Sequence, residues 1–159
     1  MKLRIITLLL SAAVLLPAGC APNSNAETAF PPVGFSAIAS GDHALNGLPV
    51  NRKLEVFSDQ TSFDASLNLF ILPIVPHIVD FTARRVVFLS LGGRSSGGNS
   101  ISVERIEDHG NFLKASIVIR NPGNNCIVTQ AITSPFQFVE VESVKALIFE
   151  ERVEVFNCP

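Results

Sequence analysis

Between Arg85 and Val141, apolar and polar residues alternate in short runs, and most of the runs stop at Gly, Pro or Asn. A period of two puts apolar side chains on one face of a strand and polar ones on the other, a pattern no helix can use. This stretch therefore commits the chain to β structure. Arg85–Leu91 is nearly all apolar, as a central strand covered on both faces would be. Ser100–Ile106 alternates with its apolar residues at odd positions, until Ile106 breaks the parity. Phe112–Arg120 sets Leu113, Ala115, Ile117 and Ile119 on one face. Ile127–Ile132 and Pro135–Val141 read as further strands, with Pro135 tolerated at a strand start, and Val153–Phe156 as the last. The breaks are a glycine-rich loop, Gly92–Gly98, a turn at Asp108–Asn111, and a second turn at Asn121–Asn125, where Pro122-Gly123 suits a type II turn.

Upstream of this stretch the pattern is mixed. Ser36–Gly41 reads as a short strand with a glycine turn, and Leu54–Phe57 as another. Ser58 or Asp59 is placed to cap a helix over Thr61–Phe70, where Phe63, Leu67 and Phe70 recur at helical spacing. Pro73 and Pro76 then hold the chain extended. A chain of 159 residues makes one domain, and 47% hydrophobic with 16% charged residues excludes a disordered or low-complexity chain. The expected fold is a single domain, mainly antiparallel β with one short helix, either α+β or sandwich-like.

The N-terminus reads as an address. Lys2 and Arg4 precede an apolar run from Ile5 to Leu16, too short to span a bilayer comfortably, which ends at small residues. Two cleavage sites compete. Ala18-Gly19-Cys20 looks like a bacterial lipobox, with Pro17 where an apolar residue is usual. Ordinary cleavage after Ser24-Asn25-Ala26, giving a secreted form, is the alternative. In the first reading residues 1–19 are a lipoprotein signal, Cys20 is lipidated, residues 20–35 are a Pro- and Asn-rich tether, and residues 36–159 are the domain. Ala21 rather than Asp after Cys20 favours an outer membrane or a periplasmic face. Acyl chains, not charge, would hold such a protein, because the formal net charge is −2 and cleavage removes two cations. No basic run exists for nucleic acid.

Of three cysteines, lipidation of Cys20 leaves Cys126 and Cys158 in an oxidising compartment. Their pairing would contribute about 3.7 kcal/mol through chain entropy. It would pin the last strand to the Asn121–Asn125 loop. No Cys or His spacing suits a metal, and no cofactor is expected.

The motifs also fall in a familiar order. Val79-Asp80-Phe81 precedes the apolar strand, and Gly93-Arg94-Ser95-Ser96-Gly97-Gly98 follows it. Next come Ser102-Val103, Pro122-Gly123 with Cys126, Val128-Thr129-Gln130 and Pro135-Phe136. This order resembles the PrcB C-terminal domain family of bacterial envelope proteins, over about residues 36–141. Ser96 stands where the family usually has Thr, and Asn99 and Phe136 stand where it has Tyr. The resemblance implies an exported domain that stabilises or accompanies a protease, without catalysis of its own.

The residues themselves give little enzyme chemistry. A G-x-S-x-G elbow and a P-loop are both absent. His43 and His109 read as solvated turn residues and His77 as a loop histidine near Asp80. Glu140, Glu142, Glu150 and Glu151 read as the wet face of strands. The best candidate for binding a partner is the loop Gly93, Arg94, Ser95, Ser96, Gly97, Gly98 and Asn99. There glycine admits close backbone approach and Arg94 offers a fork to a carboxylate. The leading expectation is a non-enzymatic envelope lipoprotein that binds an envelope protein, possibly a protease. The alternative is a small protease inhibitor that uses the same loop. A hydrolase would need His77, Asp80 and a serine in one cleft.

Overall fold

Parity assigns the strands to two sheets. In a computed structural model, which describes residues 29–159 apart from residues 48 and 74, the strands are β1 (Phe35–Gly41), β2 (Lys53–Phe57), β3 (Arg85–Ser90), β4 (Ser100–Asp108), β5 (Phe112–Pro122), β6 (Phe136–Val141) and β7 (Ala146–Phe156). One helix, α1 (Gln60–Leu67), lies between β2 and β3. The first sheet runs β1-β6-β3-β2 and the second β4-β5-β7. Every ladder is antiparallel except β5–β7, which is parallel. The signal region and Cys20 lie outside the described residues.

β3 is central, as its apolar run predicts. Its even residues Val86 and Phe88 join β6 Phe136 and Phe138 and helix residues Phe63 and Leu67 in one cluster. Its odd residues Val87 and Leu89, with Val139 and Val141, join Ile101, Val103, Ile106, Leu113, Ala115, Ile117 and Ile119 of the second sheet. The order of layers is helix, sheet, sheet.

The parity break at Ile106 has a cause. The β4–β5 register shifts between Val103 and Arg105, so Glu104 is an extra residue and Ile106 turns inward. Beside the bulge, the Val103 N–H donates to Gln137 Oε1 on β6 at 2.9 Å, a polar link between the sheets. At α1, Asp59 is the cap: its Oδ1 accepts from Ser62 N–H at 2.9 Å, and that bond holds its carboxyl below the ordinary range.

Four expectations need correction. Ile127–Ile132 is not a strand: it has no neighbour to ladder with, and nearby only an isolated bridge, Arg94 to Thr133, forms. The Pro-Gly turn is not type II, because Gly123 is not in the left-handed region that type II demands. Pro122 instead completes the β5–β7 ladder opposite Phe156, and the chain reverses over Asn124 and Asn125, where Cys126 N–H donates to Gly123 O at 3.0 Å. The last strand begins at Ala146 rather than Val153. Finally, Pro31–Gly34 are bonded to the domain: Asp108 N–H donates to Pro31 O, Val33 N–H to Ile106 O, and Glu142 N–H to Gly34 O, each at 2.9 Å.

Candidate functional site

The glycine loop leaves β3 and is strapped along its length. Arg94 and Thr133 exchange backbone hydrogen bonds at 2.8 and 2.9 Å, and Gly97 N–H donates to Thr129 O at 3.0 Å. Thr133 Oγ1 donates to Ser96 O at 3.0 Å, and Asn99 Nδ2 donates to the same carbonyl at 2.9 Å. Gly97 lies tight against this strap: a Cβ there would sit 2.3 Å from Thr129 Oγ1 and would force that side chain to turn. Gly98 has φ +83°, which side chains resist. The close backbone approach expected of this loop is thus made to the chain's own segment 129–133.

That segment is itself anchored at both ends. Cys126 is disulfide-bonded to Cys158, and Asn125 Nδ2 donates to Cys158 O at 2.6 Å. At the other end Thr133 and Ser134 are buried, Ser134 N–H donates to Asp42 O at 2.6 Å, and His43 Nε2 contacts Ile132 O at 3.1 Å. On this frame Ile127 is fully exposed and Ile132 is 64% exposed. Gly93, Ser95 and Gly98 are exposed, Arg94, Ser96 and Asn99 half-buried, and Gly97 buried. Arg94 Nε is buried without a hydrogen-bond partner among the described residues. The result is a stapled pair of loops that presents two aliphatic side chains and a serine on fixed backbone. Sequence reasoning missed Ile127 and Ile132 because the run Ile127–Ile132 read as a strand.

The histidines go to separate places. His77 Nε2 meets Glu140 Oε2 at 2.7 Å, and Arg84 pairs with Glu140 Oε1. Asp80 is turned elsewhere and accepts from Thr82 N–H and Oγ1–H at 3.0 and 2.5 Å, which lowers its pKa. Glu140 is only 6% exposed, so the wet-face reading fails there. Burial pushes its carboxyl up, but the Arg84 and His77 hydrogen bonds outweigh this and hold it below the ordinary range. A glutamate within Val139-Glu140-Val141 was the one available signal. His109 is not solvated either: its ring stacks between Phe30 and Phe112, with centroids 3.6 and 5.2 Å away. Among the described residues no group of three or more His, Cys, Asp or Glu side chains is arranged to hold a metal ion. Among them, too, no helix is long and apolar enough to cross a membrane.

Fold and site together define a two-sheet β module with one capping helix and a disulfide-anchored loop pair. Residues 85–142 match the family model described as PrcB C-terminal, the family that the motif order resembles. The match runs from β3 through β6 and takes in both stapled loops. It is narrower than the resemblance and leaves out Val79-Asp80-Phe81. No curated protein and no solved structure matches the chain. Where the family has Tyr, Asn99 closes the loop on itself and Phe136 is buried against Phe70, with centroids 4.5 Å apart.

Proposed function

We propose that this chain is a non-enzymatic, lipid-anchored envelope protein. Its β domain is an interaction module that stabilises or accompanies a protease or another envelope complex. The partner rests on the stapled surface formed by Arg94–Asn99 and Ile127–Ile132. The observation that carries this reading is Ile127, fully exposed on a backbone fixed by the disulfide before it and by the Gly97–Thr129 bond after it. Exposed aliphatic residues are ordinary one at a time. Exposed on rigid backbone, with Ile132 on the same segment, they lose little conformational entropy when a partner covers them. The family match at residues 85–142 supports the protease-associated reading, because it covers both loops.

The test is crosslinking and affinity capture of the intact protein from its native envelope, beside an Ile127→Asp/Ile132→Asp variant. A protease or other envelope protein recovered in stoichiometric amount with the wild type, and lost with the variant, is the expected result. Equal recovery with both would move the contact off this surface. Recovery of no specific partner would end the module reading. An activity assay on the captured complex separates a stabiliser from an inhibitor, and mass spectrometry of the mature N-terminus tests lipidation of Cys20.

A further inference from the structure

Sheet edges present unpaired backbone groups, and proteins defend them with bulges, short strands or covering chain. Three of the four edges here are defended. β1 has a register shift between Ala37 and Ala39. β2 is five residues long. β4 has its bulge, and Pro31–Val33 pair along its outer side. The fourth edge, β7, is eleven residues long, pairs with β5 without a register shift, and has no strand on its other side among the described residues. Ile148 is exposed along it, and Val153 and Val155 are 62% and 67% exposed.

The order of residues on β7 says what fits this edge. In an antiparallel pairing of β7 with a second copy of itself, centred on Glu151, Glu150 lies opposite Arg152 of the second copy. Phe149 lies opposite Val153, Leu147 opposite Val155, and Ala146 opposite Phe156. Glu151 meets its own counterpart, but in each copy Arg52 already pairs with it. Glu150 and Arg152 likewise have partners within the chain, Lys114 and Glu104, and Ile148 against Glu154 is a poor match. Sliding by one pair in either direction sets Glu150 against Glu150 and Phe149 against Glu151, or Arg152 against Arg152 and Glu150 against Glu154. Charge and apolar matching therefore favour the register centred on Glu151 over both of its neighbours.

We infer that β7 is a self-pairing edge, and that two copies join about a two-fold axis through Glu151. The second sheet then runs unbroken as β4-β5-β7 and on through β7-β5-β4 of the second copy. Each contact occurs twice, as two-fold symmetry requires. The surface is distinct from the stapled loops and does not depend on what they bind.

Variants of the full chain with one added cysteine, oxidised mildly in the native envelope, test the register. Glu151→Cys faces its own counterpart and is expected to give a disulfide-linked homodimer as the major species. Val155→Cys, far from its counterpart in this register, is expected to stay monomeric. Adding Val153→Lys to Glu151→Cys is expected to lower the dimer fraction roughly tenfold, since the charge enters opposite Phe149 twice. An intact Cys126–Cys158 bond in each variant reports that the domain is folded. Monomer throughout, equal crosslinking at residues 151 and 155, or crosslinking of Glu151→Cys to a different protein would each overturn the inference.

Discussion

The two faces of the sheet β1-β6-β3-β2 are covered by different chemistry. Toward the helix, Phe57, Phe63, Phe70, Phe88, Phe136 and Phe138 pack with ring centroids 4.5 to 6.5 Å apart, Phe138 touching all the others. Toward the second sheet the buried cluster is Val, Leu, Ile and Ala. The difference follows from the cover available. Two sheets present matched pleated faces, and β-branched side chains interdigitate between them. An eight-residue helix is too short to roof a four-stranded sheet. Phe side chains bury 150–250 Å² each, so rings extend a small roof over a wide floor. At the rim, a polar closure made by His77, Arg84 and Glu140 stands beside the helix, where Gln60 Nε2 donates to His77 O at 2.8 Å.

The comparison can be broken most sharply at its centre. Phe138→Ala is expected to cost about 3–5 kcal/mol, measured by urea unfolding, because its ring joins every other ring in the cluster. A cost below about 2 kcal/mol would mean that the rings do not act as one roof. Between the sheets, Gln137→Leu is expected to cost about 1–3 kcal/mol, because Val103 N–H loses its acceptor. Ile117→Val, in the middle of the aliphatic layer, is expected to cost only about 0.5–1.5 kcal/mol. These three changes rank the layers on one scale.

The smallest effect concerns the rim, and acid resolves it. Glu140 has its carboxyl held below the ordinary 4.5, so the unfolded chain binds its proton first as pH falls. Its contribution is complete above pH 4.5 and disappears as pH drops through the lower, folded value. Other carboxylates share this direction, among them Asp80 and Asp108. The difference between wild type and Glu140→Gln in acid unfolding therefore isolates the rim: the gap is expected to be constant from pH 7 to about 5 and to close below it. A gap that persists unchanged to pH 2 would assign Glu140 a role that does not depend on its charge.

Period-two parity made most of the sheet architecture legible, because each strand has one face on a core. It also held the β4 bulge in plain view, as the step from Val103 to Ile106, although parity alone does not say which residue is extra. What stayed hidden depends on distant neighbours. Ile127–Ile132 has the β-branched residues of a strand, but the segment beside it is a glycine loop, which supports only isolated bonds. The first half of β7 was obscured by Glu150-Glu151-Arg152, and its parallel pairing follows from a chain path that no local pattern carries. Asp-His-Gly spells a solvated turn, yet His109 is taken between Phe30 and Phe112, which lie on either side of it in space. At the candidate site, the cysteine count pointed to the disulfide, and glycine pointed to a close approach. That the approach is made to the chain itself was not written locally.

The pairing of Pro31–Val33 with β4 shortens a leash. With Phe30 stacked on His109, the domain is gripped well before β1 begins. If Cys20 carries the lipid proposed above, about ten residues remain between bilayer and fold, and these can reach at most about 35 Å. Any complex this module joins must then assemble within roughly one domain's height of the membrane.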